Sequence, residues 1–155
     1  MVRKIFFLIL VGIAATLAAG DLELRLDLSP RTDGSGARSI HFYLENHTDG
    51  DVTVLTRGIL YSGGDHTDSG KKICHFNFSY TRGRYGTNQL VPSLYDLSPV
   101  TLKSGEIAML NPYQIVRGDC DGVEATYEVD AFWGERFNVW HSRIKAKPIE
   151  LKQAK

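Results

Sequence analysis

The chain is short of several things, and each shortage removes a class of function. Its 18 lysines and arginines are matched by 18 aspartates and glutamates. No basic surplus is left to neutralise phosphates, so nucleic acid is not an expected partner. Only two cysteines are present and neither stands in a C-x-x-C pair, which argues against thiol redox chemistry. None of His41, His47, His66, His75 or His141 has a second histidine four residues away with a glutamate between them. That helical spacing is what sets two imidazoles on one zinc ion. A G-x-S-x-G elbow is also missing, and no helices alternate with strands to support one. No stretch repeats at the 20–50-residue periods of solenoids and propellers. With no convergent set of titratable groups, the expectation is a protein that is not an enzyme, with no cofactor and no metal.

Long apolar runs are scarce as well. The one run, Ile5 to Leu17, follows the basic pair Arg3 and Lys4 and precedes Ala18-Ala19-Gly20. It is shorter than the ~20 residues of a membrane span. This is the composition of a secretory signal peptide over residues 1–20, with cleavage expected before Asp21; an uncleaved anchor is the alternative. Without Arg3 and Lys4 the chain keeps 16 basic against 18 acidic residues, a net charge of −2. A secreted chain, extracellular or periplasmic, is oxidising territory, and there Cys74 and Cys120 are expected to form a disulfide.

What is present reads as strands. Leu22, Leu24, Leu26 and Leu28 alternate with charged residues, a period of two that defeats a helical stripe. Ser29–Ala37 holds Pro30, Gly34 and Gly36 and reads as a loop. In Ser39–Thr56, Ile40, Phe42 and Leu44 alternate, Asn46 to Asp51 form a polar turn, and Val52 and Val54 resume a strand. That second strand either pairs locally or crosses to another sheet. Gly63–Gly70 is polar and Gly-rich and reads as an exposed loop. Lys71–Tyr80 is a strand with Cys74, Phe76, Phe78 and Tyr80 inward. A further strand is expected over Ile107–Leu110, ended by Asn111-Pro112. Gly122–Trp133 alternates Val123, Ala125, Tyr127, Val129, Ala131 and Trp133 against Glu124, Thr126, Glu128 and Asp130, one face buried and one wet. The chain turns at Gly134-Glu135 and returns as a strand over Arg136–Lys145. Seven or eight such strands, with no long amphipathic helix, predict an all-β, immunoglobulin-like two-sheet antiparallel β-sandwich over residues 21–145. A small barrel is the alternative. Residues 146–155, with Lys147, Lys152 and Lys155 following Lys145, read as a solvated basic tail.

Several residues invite a functional reading. Asn46-His47-Thr48 and Asn77-Phe78-Ser79 are glycosylation acceptors, with Asn46 expected exposed in a turn and Asn77 on a solvent face. Phe132 and Trp140 are the candidates for an exposed aromatic binding patch, while Trp133 and Phe137 are expected in the core. Asp65, His66 and Asp68, and Asp119 with Asp121, depart from calcium-loop spacing and read as turn residues. Arg117-Gly118-Asp119 spells the tripeptide read by integrins. Cys74 and His75 are adjacent on a strand, so their side chains point to opposite faces and cannot form a thiolate pair.

Three short motifs then fall into a familiar order: Leu44-Glu45-Asn46 with Thr48-Asp49 and Val52-Thr53-Val54-Leu55; Phe78 with Tyr85-Gly86; and Leu102 with Ser104-Gly105-Glu106. Over Leu22 to Val129 the chain resembles the N-terminal immunoglobulin-like β-sandwich of deuterolysin-type metallopeptidases. The HExxH helix and downstream aspartate of their zinc domain are not in this sequence. The resemblance therefore implies only an accessory role, a sandwich that contacts, covers or folds a protease. The expected function is a secreted, non-catalytic protein that binds another protein, as a protease-directed inhibitor or accessory. Its end loops Ser29–Ala37, Gly63–Gly70 and Asn111–Asp121 are expected to lie partly together. The alternative is a carbohydrate-binding or adhesion module using Phe132 and Trp140.

Overall fold

Alternating leucines at the start of the chain pair with an alternating partner, and that pairing sets one wall of the core. In the computed structural model, which describes residues 22–29, 37–56, 60–80 and 99–151, β1 (Leu22–Leu28) runs antiparallel to β2 (Arg38–Asn46) from Leu22↔Asn46 to Leu28↔Ile40. β2 in turn pairs with β7 (Ile107–Val116), giving a three-stranded sheet in the order β1-β2-β7. The second sheet holds β4 (Leu60–Asp68), β5 (Lys71–Tyr80) and β8 (Gly122–Val129). β9 (Ser142–Lys145) and β10 (Ile149–Glu150) both lie along the other side of β8. β3 (Val52–Leu55) and β6 (Pro99–Leu102) form a two-stranded ribbon. The signal-peptide residues, most of the Ser29–Ala37 loop, Tyr85-Gly86 and Lys152 to Lys155 lie outside the described residues.

The two larger sheets face one another across a single core, as in a sandwich. Ile40, Phe42 and Leu44 from one side meet Phe76, Phe78 and Tyr80 from the other, all at most 4% exposed. The Phe42 ring lies 5.2 Å from Phe76 and 4.7 Å from Phe78, centroid to centroid, in the tilted and edge-on arrangements that aromatic quadrupoles favour. The all-β fold is as the sequence predicts. One pairing departs from the antiparallel expectation: β5 and β8 are parallel, from Ile73↔Gly122 to Tyr80↔Val129.

Of the two courses open to the strand after Asn46–Asp51, crossing is the one observed: β3 pairs with β6, while β2 is flanked on both sides by β1 and β7. Several other local expectations are corrected. The strand from Ile107 does not end at Asn111-Pro112 but continues through them to Val116, because β2 pairs with it along that length. Gly63–Gly70 is mostly strand: β4 runs in register with β5 from Leu60↔Ser79 to Asp68↔Lys71. Its turn is Ser69-Gly70, with φ of 50° and 79°, the two positive values that a tight two-residue hairpin turn requires. The Gly122–Trp133 strand stops at Val129. Asp130 then accepts a hydrogen bond from the Trp133 amide, capping the short helix α1 (Ala131–Phe137), which ends at Asn138 in the left-handed conformation. The expected strand from Arg136 is thus the end of this helix, followed by β9. Finally, the sheet continues past residue 145: Ala146 is buried and Ile149 pairs with Val123.

Candidate functional site

With even-numbered residues of β2 turned inward, its odd-numbered residues must face out, and they align with the outward residues of both neighbours. One cross-strand row reads Glu23, Glu45, Ile107; the next reads Arg25, Tyr43, Met109. Further along, Ser39 pairs with Ile115. Ile107 and Met109 are each 48% exposed and Ile115 is 51% exposed. Three large apolar side chains on the wet side of one strand is more than the scattered exposure of an ordinary surface. Among the described residues β7 is the last strand of its sheet. Its pairing with β2 shifts register around Phe42, and Pro112 lies within it. Bulges and prolines both blunt a strand edge against further pairing. Contact through the β7 face is therefore better supported than extension of the sheet.

Near the end of β7 a charged cluster forms. Lys72 lies between Asp65, at 3.0 Å, and Asp119, while Arg117 reaches Asp119 through Nε and Nη2 at 3.1 and 3.0 Å. Hydrogen bonds from Arg117 and Lys72 hold the Asp119 carboxyl well below the usual carboxylate range. Lys72 lowers Asp65 in the same way, and Asp119 raises Lys72. Arg117 and Asp119 are thus bonded to each other, so the Arg-Gly-Asp tripeptide is a closed ion pair in an exposed turn. Asp121 accepts from the Lys72 amide and donates its own amide to the Lys72 carbonyl, both at 2.7 Å. Asp119 and Asp121 lie in the turn between β7 and β8, as expected, whereas Asp65, His66 and Asp68 stand in strand β4 and not in a turn. The Asp65–Arg117 contact of 3.4 Å also brings the Gly63–Gly70 and Asn111–Asp121 segments together. Ile115 and Arg117 line a cleft of about 350 Å³ with Gly64, Asp65 and Phe76. His75, beside this cleft, titrates below its ordinary value because burial disfavours its charged form.

Cys74 and Cys120 are joined, with their Cα atoms 5.8 Å apart and a sequence separation of 46. The other sequence-derived sites fare differently. Asn46 is fully buried, not exposed: its Nδ2 donates to the Gly50 and Leu102 carbonyls, and its Oδ1 accepts from the Thr48 amide and hydroxyl. Both amide hydrogens are committed, leaving none for a sugar. Asn77 is also buried, at 8% exposed, because β5 is an interior strand whose outer neighbours Ser79 and Thr126 are buried too. Trp140 is only 5% exposed and stacks on Tyr127 at 5.7 Å. Phe132 is 36% exposed and meets Trp133, which in turn stacks on Phe137. Phe132 and Trp140 thus do not form one exposed patch. Trp133 and Phe137 are half-buried at the margin of the core, not inside it.

Sequence reasoning missed two groupings. One is the β7 face, whose Ile107, Met109 and Ile115 pass for ordinary strand residues until the sheet order is known. The other is Glu23, Glu45 and His47, whose ligand atoms lie within 4.8 Å of one another. His47 Nε2 is 2.9 Å from Glu23 Oε2 and 3.8 Å from Glu45 Oε1. Among the described residues no helix is long and apolar enough to cross a membrane. No protein-family model, no curated protein and no solved structure matches this chain.

Proposed function

We propose that this is a secreted, non-catalytic β-sandwich that binds another protein through the outward face of β7. The observation that carries the reading is the near half-exposure of Ile107, Met109 and Ile115 on one side of one strand. Apolar surface held out of the core gains free energy only when something else covers it. The polar neighbours Tyr43, Glu45 and Ser39 would form the rim that such interfaces carry. Secretion is supported by the apolar run Ile5–Leu17 with its basic head and by the joined Cys74–Cys120 pair. The protease-directed form, an inhibitor or accessory, rests on the resemblance to deuterolysin-type sandwiches. Two of the motifs behind it meet at Asn46, which bonds the Leu102 carbonyl, the Gly105 amide and the Glu106 carbonyl.

The test is capture of partners from the source's secreted fraction with the native chain and with Ile107→Lys/Met109→Lys. The proposal expects a partner lost in the variant, and its protease-directed form expects a change in that partner's proteolytic rate. Equal capture by both chains would remove β7 from the interface. The carbohydrate alternative has lost its platform with the burial of Trp140.

A further inference from the structure

Glu23 and Glu45 face each other directly across the β1–β2 ladder on its outward side. Like charges in that position destabilise a sheet unless something neutralises them. His47 follows immediately after β2 and turns its Nε2 over the same two carboxylates, nearest to Glu23 Oε2 and Glu45 Oε1. The two oxygens of Glu45 are divided. Oε2 accepts from Arg25 Nη1 at 2.9 Å, which leaves Oε1 directed at the imidazole.

We propose that Glu23, Glu45 and His47 form a binding site for one divalent transition-metal ion, with Glu23 Oε2, Glu45 Oε1 and His47 Nε2 as ligands. An ion ~2.0–2.2 Å from each ligand sets neighbouring ligand atoms roughly 3.0–3.6 Å apart. The two separations from His47, 2.9 and 3.8 Å, bracket that range, and all three ligand atoms lie within 4.8 Å of one another, so side-chain adjustment about the imidazole would complete the set. One imidazole with two carboxylates suits zinc, manganese, cobalt or nickel, whereas calcium takes oxygen ligands almost throughout. Arg25 acts as a positioning residue, orienting Glu45 as outer partners orient metal-bound carboxylates. The backbone carrying His47 is fixed by its neighbour: Asn46 is buried and hydrogen-bonded to Gly50, Leu102 and Thr48. Three protein ligands leave positions for water, and two of them, Glu23 and His47, also line a cavity of about 380 Å³ with Arg143 and Lys145. The site shares Glu45 with the rim of the proposed protein-binding face, where Glu45 pairs with Ile107; its other two ligands, Glu23 and His47, lie on β1 and just after β2, and its test reads metal binding and not partner capture.

Untagged, chelator-treated protein is titrated with Co²⁺ while its visible absorption is followed, and amide resonances are recorded with substoichiometric Mn²⁺. The expected result is one Co²⁺ per chain, with Mn²⁺ broadening centred on Glu23, Glu45 and His47. His47→Gln and Glu23→Gln should each weaken Co²⁺ binding about tenfold or more. His66→Gln should leave it unchanged. His47 and Glu23 are both surface residues, 44% and 53% exposed at the side chain, so the variants keep the fold, which near-UV circular dichroism verifies. Absence of Co²⁺ binding at millimolar metal overturns the site, as does binding that survives His47→Gln. Broadening centred on Asp65 to Asp68 instead of His47 overturns it without recourse to any variant.

Discussion

The Tyr127 hydroxyl is bonded twice to the backbone of Leu55, donating to its carbonyl at 3.0 Å and lying 3.3 Å from its amide. The two residues are 72 apart in sequence, and the contact ties the β3–β6 ribbon to β8. Trp140 supports the same junction, stacking on Tyr127 while its amide donates to the Thr53 carbonyl at 2.7 Å. Tyr127 is fully buried, so Tyr127→Phe leaves Leu55 with unanswered polar groups in a dry site. The expected loss is about 1–3 kcal/mol, read as a lower urea midpoint with unchanged slope.

The same burial pushes the Tyr127 phenol above its ordinary value of 10.0, against the milder opposing effect of the Leu55 amide. A folded-state value above the unfolded one means the folded protein holds this proton more tightly. Its contribution to stability is therefore complete below about pH 10 and is lost as pH rises beyond that. In an alkaline titration followed by tyrosinate absorbance, Tyr127 should ionise only together with unfolding. The Tyr127 signal is isolated by difference against Tyr127→Phe, because the chain has seven tyrosines; a Tyr127 phenolate in the folded protein near pH 10 would contradict the burial.

Asn46 can be a glycan acceptor or the anchor of its turn, but not both. Each of its amide hydrogens is used, at 2.8 Å to Gly50 and 3.0 Å to Leu102. Protein folded after expression in a glycosylating secretory host should be unmodified at Asn46 by intact mass. Asn46→Ala should cost about 1–3 kcal/mol, because the Leu102 carbonyl loses a buried donor. Thr48→Val removes the sequon and only the partly exposed hydroxyl bonds, so it should cost less.

How much of this was legible beforehand follows from period and range. Strict alternation in Leu22–Leu28 and Lys71–Tyr80 gave both strands and their inward faces, since a period of two admits one geometry. The disulfide followed from there being only two cysteines to pair. Gly63–Gly70 failed because a polar, Gly-rich stretch needs no burial to be a strand when an in-register partner supplies the ladder; Ser69-Gly70 was the hairpin signal. The Val129–Trp133 break failed because Asp130 was counted as a wet strand residue when it is a helix cap. Asn46, Trp140 and the Glu23–Glu45–His47 group depend on which distant strand lies alongside, and one sequence carries no local trace of that.

Gly134 lies where helix α1 passes close to the His141 side chain. A Cβ built there would stand 2.3 Å from His141 Cβ and 2.4 Å from its Cγ. Those atoms sit at the root of the side chain, where rotation cannot clear them. Alanine is the better helix former by ~1 kcal/mol, so propensity alone predicts that Gly134→Ala stabilises. The contact decides the sign the other way. Overpacking of ~1–3 kcal/mol should exceed the gain, and thermal unfolding should show a lower midpoint.

The charged turn beside the disulfide responds to acid in a defined direction. Asp119 is held below its ordinary 3.8 by Arg117 and Lys72, and Asp65 is lowered chiefly by Lys72. A depressed folded value means the stabilisation is present above pH 3.8 and disappears as pH falls through the folded values. All four side chains reach solvent, so the effect must be small and screened by salt. Carboxyl resonances should show Asp119 titrating later on acidification than Asp65, and 1 M salt should draw both midpoints back toward 3.8. Arg117→Gln should raise the Asp119 midpoint most, since Arg117 is the larger of its two partners. An Asp119 midpoint that ignores both salt and Arg117 would mean the tripeptide side chains are not paired in solution.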